Sequence, residues 1–324
     1  MLKTTRRVFV AGAGAGALSL GAWPGLAQPK AMILGTASVG GTYFIYGGVV
    51  ATLLTEKLGI NVSTQQTQGP NQNIILVDDK KVELGMTTMG IALQAWNGQG
   101  DWTKGKKFTN IRALFPMYDT PFHFITTEKT GIKSVAELNN RTVGVGPRAG
   151  TPGTYFPLMF QALGLKVTVR NGSGNDMASQ LGDGLIDAFP FAAGVPIAAY
   201  SEIEAQRPVR FFTFTADEIA KLKTVMPELS DSVIPKTTYK SMTEDHKTVG
   251  VYNFGIAHTD LADDIAYGVT KAILENNDAM VKGHAAAVET VAKNWERNTF
   301  LPFHKGAVRY YKEKGFNIPS QLAG

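Results

Sequence analysis

Apolar and polar positions alternate along the chain in a way that predicts the same run of elements twice. Residues 30–34 form a short apolar stretch that predicts a strand. Residues 43–58 then carry apolar side chains at helical spacing and stop at Gly59, which suits the left-handed position after a helix. Between them lies Gly35-Thr-Ala-Ser-Val-Gly40-Gly41-Thr42-Tyr43-Phe44. Further on, 142–146 predicts a strand, followed by Pro147-Arg-Ala-Gly-Thr151-Pro-Gly153-Thr154-Tyr155-Phe156 and a helix that stops at Leu163-Gly164. Both loops close on Gly-Thr-Tyr-Phe, and both helices lead into a valine-containing strand, 60–63 and 167–170. A Gly/Asn-rich turn follows each, Gln68-Gly69-Pro70-Asn71 and Asn171-Gly172-Ser173-Gly174. Each copy ends with an acid inside an apolar strand, Glu83 in 82–86 and Asp187 in 185–189. The pattern is one β-loop-α-β-α-β unit used twice.

Other segments complete the reading. A second helix is predicted over 71–81, a third strand over 84–88 and a polar loop over 96–107. Apolar runs at 111–116 and 122–127 flank Met117 to Pro121, where the chain first crosses between halves. Ser134 and Glu137 have the spacing of a capping box that starts a short helix. Beyond the second unit the pattern predicts a helix at 197–205, a strand at 209–215, a helix at 217–223 and an irregular stretch at 227–239. A return strand follows at 249–258, then amphipathic helices at 260–276 and 281–294. The expected fold class is α/β, with two Rossmann-like lobes joined by crossing strands. Residues 28–117 plus 254–324 are expected to form lobe 1, and 118–253 lobe 2.

Composition changes this picture mainly at the start. The first 27 residues hold Lys3, Arg6 and Arg7 and no acid, then a weakly apolar Ala/Gly-rich run and Gly25-Leu26-Ala27. That is the pattern of an export signal cleaved after about Ala27, and Thr5-Arg6-Arg7-Val8-Phe9 resembles the twin-arginine type. The expected location is the periplasm. Without those three cations the formal charge of +5 becomes +2. The basic balance is therefore no argument for nucleic acid, and no basic stripe with interleaved aromatics follows. Cysteine is absent, which excludes disulfides, thiolate metal sites and a cysteine nucleophile.

Several motifs come close to known chemistry and miss. Gly35-x4-Gly40-Gly41-Thr42 has phosphate-loop spacing but holds Gly41 where a lysine belongs. Gly144-Val-Gly146 is one residue out of dinucleotide spacing, and Gly172-Ser173-Gly174 lacks the outer glycines of a nucleophile elbow. The histidines show no metal-ligand spacing. No catalytic set, metal or cofactor is expected. What remains is a cradle for a small ligand, because unpaired amides at a helix start attract anions and open α/β sheets bind at strand carboxyl ends. Its expected members on lobe 1 are Ser38, Gly40, Gly41, Thr42, Tyr43, Gln68, Asn71, Asn73, Thr87 and Thr88, with Thr67 beside them. On lobe 2 they are Arg148, Gly150, Thr151 and Thr154, with Phe189 and Phe191 as apolar walls. Arg148 is the expected carboxylate partner through paired hydrogen bonds.

These residues resemble the TAXI-type solute receptors of TRAP transporters across nearly all of 31–316. The resemblance rests on Gly40-Gly41-Thr42-Tyr43, Ile132-Lys-Ser-Val-Ala-Glu-Leu138, Val143-Gly-Val-Gly146 with Ala149-Gly-Thr151, Gly184-Leu-Ile-Asp-Ala188 with Gly194-Val-Pro196, and Pro302-Phe-His-Lys-Gly-Ala-Val-Arg-Tyr-Tyr311. It implies a two-lobed type II periplasmic-binding-protein fold and a glutamate-like or dicarboxylate ligand. It also implies partnership with TRAP membrane subunits, and we expect a monomer. Two departures stand out. Arg148 replaces a small residue or proline, and Thr88-Met89-Gly90 replaces a segment that usually carries an acid. Losing that acid removes a partner for a ligand ammonium, so the expected ligand is an organic acid without an amine. The rival expectations are a periplasmic sensory receptor and an exported enzyme on the same fold.

Overall fold

Two long strands carry the architecture. A computed structural model describes residues 30–324; the export-signal reading falls on 1–27 and lies outside the described residues. The long strands are β4 (Ile111–Thr127) and β10 (His246–His258), antiparallel to each other and almost wholly buried. Each changes partners along its length. The carboxyl half of β10 pairs with β3 (Leu84–Thr88), which continues parallel into β1 (Ala31–Gly35) and β2 (Asn61–Gln65). Its amino half pairs with β9 (Ser230–Ile234). The carboxyl half of β4 instead takes β7 (Phe189–Ala192) and β8 (Val209–Phe212) on its two sides. Strands whose two ends take different partners are how one chain builds two lobes around a shared hinge. The fold is thus mixed α/β and two-lobed.

Helices pack on these strands, most of them where the sequence predicts a helix; Met89–Asn97 and Lys305–Glu313 are additions. The first unit holds α1 (Thr42–Leu58), α2 (Pro70–Asp78) and α3 (Met89–Asn97). The second holds β5 (Thr142–Gly144), α4 (Thr151–Leu163), β6 (Thr168–Arg170) and α5 (Gly174–Gly182). α6 (Ala198–Gln206) and α7 (Ala216–Val225) follow. α8 (Asp263–Leu274), α9 (Asn277–Gly283) and α10 (Lys305–Glu313) then close the chain. α1 and α4 both end on a left-handed glycine, Gly59 and Gly164, as their sequences predict.

The repeated acids explain why the two units match. Each precedes its strand rather than lying inside it, which corrects the expected placement. The Glu83 carboxylate accepts from the Ile33 amide at 2.7 Å, and the Asp187 carboxylate accepts from the Thr142 amide at 2.8 Å. Each acid's own amide donates to the same residue's carbonyl, at 3.2 Å and 2.7 Å. In both units an acid bound at two points ties the third strand to the first.

Four further expectations are corrected. The 227–239 stretch contains β9. The 281–294 helix breaks at His284, whose Nδ1 accepts from the Ala286 amide at 3.1 Å, and continues only as two short 3₁₀ segments. Ser134 does not cap a helix: Glu137 accepts from the Lys133 amide at 2.6 Å, and only a single 3₁₀ turn follows. Residues 96–97 belong to α3, an element the sequence reading did not place. Capping boxes do form at Ser173 with Asp176 and at Thr215 with Glu218, starting α5 and α7. Among the described residues no helix is long and apolar enough to cross a membrane.

Candidate functional site

Four helices begin at one place. α1 starts after Gly41, α2 after Gly69, α3 after Thr88 and α4 after Gly150, and none of these starts is capped by a side chain. Unlike α5 and α7, whose first amides are taken by capping boxes, these four leave their amino ends to the space between the lobes. Each end carries partial positive charge from the aligned peptide dipoles. Three of the four caps are glycines, which lets the loops approach each other without a Cβ. Gly69 has φ of +127°, and a Cβ added there would sit 3.1 Å from the Gly150 Cα across the cleft.

The cavity they surround is narrow, with about 40 Å³ for the centre of a water-sized sphere. Ser38, Gly41, Thr42, Tyr43, Gln68 and Thr88 line it from one side, and Gly150, Thr151 and Phe191 from the other. Among the described residues no charged side chain lines it. Its polarity comes from hydroxyls, carboxamides and backbone. Burial pushes the Tyr43 phenol well above its ordinary pKa, with Tyr46 adding to the effect, so Tyr43 is a neutral hydrogen-bonding group throughout the physiological range.

Direct bonds draw the two sides together. Thr88 Oγ1 and Thr151 Oγ1 are 3.2 Å apart, the Ala149 amide donates to Gln68 Oε1 at 3.4 Å, and the Thr42 hydroxyl donates to the Gly194 carbonyl. Asn71, in the amide orientation that satisfies both its polar atoms, donates to the Ala149 carbonyl at 3.1 Å and accepts from Thr154 Oγ1 and Trp102 Nε1, both at 3.2 Å. Asn71 and Thr154 therefore latch the rim and do not line the cavity. Gly40, at φ +89°, packs against Gly174 and Asn175, and its carbonyl accepts from the Ala199 amide at 3.2 Å.

The remaining residues named from the sequence stand outside the lining. Asn73 is fully buried and donates to the carbonyls of Thr36 and Met86 at 2.8 and 2.9 Å, while its Oδ1 accepts from the Thr67 hydroxyl at 2.8 Å. It fastens the second turn to β1 and β3. Thr87 is buried with its hydroxyl on the Thr88 carbonyl at 3.1 Å. Phe189 lies behind Phe191, edge to face at 5.3 Å. Arg148 is exposed and forms no ion pair or hydrogen bond among the described residues. Its loop shapes the cleft, while its side chain lies outside the cavity wall.

Two residues that sequence reasoning passed over form the floor. Thr120 of β4 and Asn253 of β10 line the cavity where the long strands cross beneath it. Asn253 is fully buried. Its Oδ1 accepts from the Tyr43 hydroxyl at 2.6 Å, and its Nδ2 donates to the Tyr118 carbonyl at 2.5 Å and to Thr120 Oγ1 at 2.7 Å. The available signal was a lone carboxamide in the middle of the apolar run 249–258. Chemically the arrangement offers hydroxyls, carboxamides and backbone groups for neutral hydrogen bonds to a small ligand.

Solved structures share this architecture. One is MatC from Rhodopseudomonas palustris with bound malate, 11% identical, matching over 84% of this chain and 93% of that one with a TM-score of 0.59. Another is a protein from Bordetella bronchiseptica RB50, 15% identical, over 88% and 98% of the two chains with a TM-score of 0.54. A periplasmic transporter is 13% identical over 82% and 84%, with a TM-score of 0.51. At these identities the likeness is one of fold. A family model described as the NMT1-like family matches residues 34–315, and the chain belongs to that family.

Proposed function

We propose that this is an extracytoplasmic substrate-binding protein that captures a small carboxylate between its lobes and delivers it to a TRAP membrane permease. The observation that carries the reading is the convergence of four uncapped helix starts on a cavity without a charged side chain. Positive dipole ends with no acid among them favour a negative ligand and offer nothing to a ligand ammonium. The ligand is accordingly a dicarboxylate or 2-oxo acid in preference to glutamate. That MatC, with the same fold, holds malate supports this class. Lobe 1 comprises 28–117 with 254–324 and lobe 2 comprises 118–253, so both boundaries fall on the crossing strands. The protein works as a monomer in the periplasm after its leader is removed, and it is not an enzyme. Catalysis would need a paired acid and base or a nucleophile with a base to activate it, and among the described residues the lining sets no acid or base beside its hydroxyls.

A thermal-shift panel of malate, succinate, 2-oxoglutarate, pyruvate, glutamate and glutamine tests the ligand class. A true ligand at 100 times its Kd stabilises by about 2.7 kcal/mol. We expect at least one amine-free acid to do so. Stabilisation by glutamate while every amine-free acid stays silent would overturn the reading.

A further inference from the structure

A second recess lies on the opposite face of β4. Thr120 and Asp119 are neighbours on β4, so their side chains leave opposite faces of the strand. Thr120 lines the ligand cleft, and Asp119 lines a recess of about 470 Å³. Val233 of β9 belongs to one wall, and Val288 and Glu289, after α9, belong to the other. The rim is apolar and open to solvent, with Val233 53% and Val288 65% exposed. Within it sit two carboxylates. Asp119 accepts from the Ser232 hydroxyl, and neither it nor Glu289 joins any of the ion pairs among the described residues. Arg297, whose charge acts on both, rests over the Tyr252 ring at 5.3 Å. Burial raises the pKa of both acids and Asp119 raises Glu289 further, while hydrogen bonds and Arg297 act in the opposite direction.

The recess and the cleft lie on the two faces of β4, and each has walls from both halves. A rotation about the crossing strands that opens one must narrow the other. We propose that the recess is a docking surface for a partner-protein segment presenting a lysine or arginine between apolar side chains, and that it admits the segment only while the cleft is closed. The valine rim takes the apolar side chains and the two carboxylates complement the cation. The proposal rests on the reading that the lobes open and close around a ligand, and it gives that closure an outward sign a membrane partner can read.

The test titrates acetyl-Val-Lys-Val-amide, and its Glu counterpart, into protein with ¹³C-labelled valine methyls. The Lys peptide should shift the Val233 and Val288 resonances saturably and bind at least about tenfold tighter than the Glu peptide. Asp119→Asn with Glu289→Gln should erase that preference. Where the double variant does not fold, Glu289→Gln alone should weaken the Lys peptide. A cysteine pair, Thr88→Cys with Thr151→Cys, in a chain that otherwise has no cysteine, holds the cleft shut when oxidised. The oxidised form should bind the Lys peptide at least about threefold tighter than the reduced form. Equal binding of the two peptides, no binding to the oxidised form, or equal affinity in both redox states would each overturn the proposal. The cysteine lock closes the cleft without ligand, so a failed ligand panel and a failed peptide titration are separate results.

Discussion

Asn253 shows what one side chain contributes at the hinge. The β10–β4 ladder slips register between Tyr252 and Phe254, and the Asn253 carboxamide replaces the missing pairing by donating to the Tyr118 carbonyl. Asn253→Ala leaves that carbonyl and the Tyr43 hydroxyl buried without partners, which should cost about 3 kcal/mol in urea denaturation. Thr151 and Arg148 separate two accounts of ligand capture. Thr151→Val removes a hydroxyl from the lining and should weaken the ligand at least about tenfold, since a bond to a charged group contributes about 1.5–3 kcal/mol. Arg148→Ala should change affinity by less than about threefold by calorimetry, as expected of a solvated charge. A larger loss at Arg148 than at Thr151 would restore the guanidinium as the ligand's partner.

His123 sets a pH dependence. It is fully buried on β4 between Tyr200 and Tyr239, and burial lowers its pKa from 6.5 to about 3. Between those values the unfolded chain binds the proton and the folded one does not, so stability falls as pH drops below about 6.5 and is complete above it. At pH 5 the loss from this residue is about 2 kcal/mol, from roughly 1.4 kcal/mol per pKa unit. His246, His258, His284 and His304 are shifted the same way and add to the slope. Urea titrations at pH 7.5, 6 and 5 measure it, and a flat profile would contradict the buried neutral imidazole.

Among the elements, the helix starts differ in how their first amides are met. α5 and α7 close their own amino ends with Ser173–Asp176 and Thr215–Glu218, while α1 to α4 begin on Gly or Thr and aim into the cleft. Gly69 is the most constrained of these starts. Gly69→Ala would put a methyl at a left-handed φ and against the Gly150 backbone, so it should hold the lobes apart and weaken ligand binding by about tenfold or more. Unchanged affinity would show that the lobes do not need to meet there. The Gly-Thr-Tyr-Phe repeats, the glycine stops and the paired acids were legible because each rests on local chemistry. α3 was not, because its nine residues are buried on several sides and lack a one-sided apolar stripe. β9 was hidden too, since an edge strand alternating buried and exposed residues between two prolines resembles a loop in sequence.

For the whole molecule, the proposed closure predicts a coupling between the two sides of the cleft. The cross-cleft bonds Thr88–Thr151, Gln68–Ala149 and Asn71–Thr154 join segments far apart in sequence, so a ligand touching both sides should shift the population toward the compact form. Small-angle scattering should show a smaller radius of gyration with saturating ligand than without, and Gly69→Ala should lose that difference. An unchanged radius would place binding on one lobe only.

The sequence by itself determined the repeated unit, the glycine-capped helices and the amide-rich turns, because turn geometry, helix periodicity and capping act over a few residues. It also named Ser38, Thr42, Tyr43, Gln68, Thr88 and Thr151, which do line the cavity. Only the tertiary structure decided that Thr120 and Asn253 form the floor, that Arg148 lies outside and that Asn71 latches the rim. Those assignments depend on which faces of β4 and β10 meet the four helix starts. Strand pairing between residues more than a hundred positions apart settles them, and no local pattern encodes it.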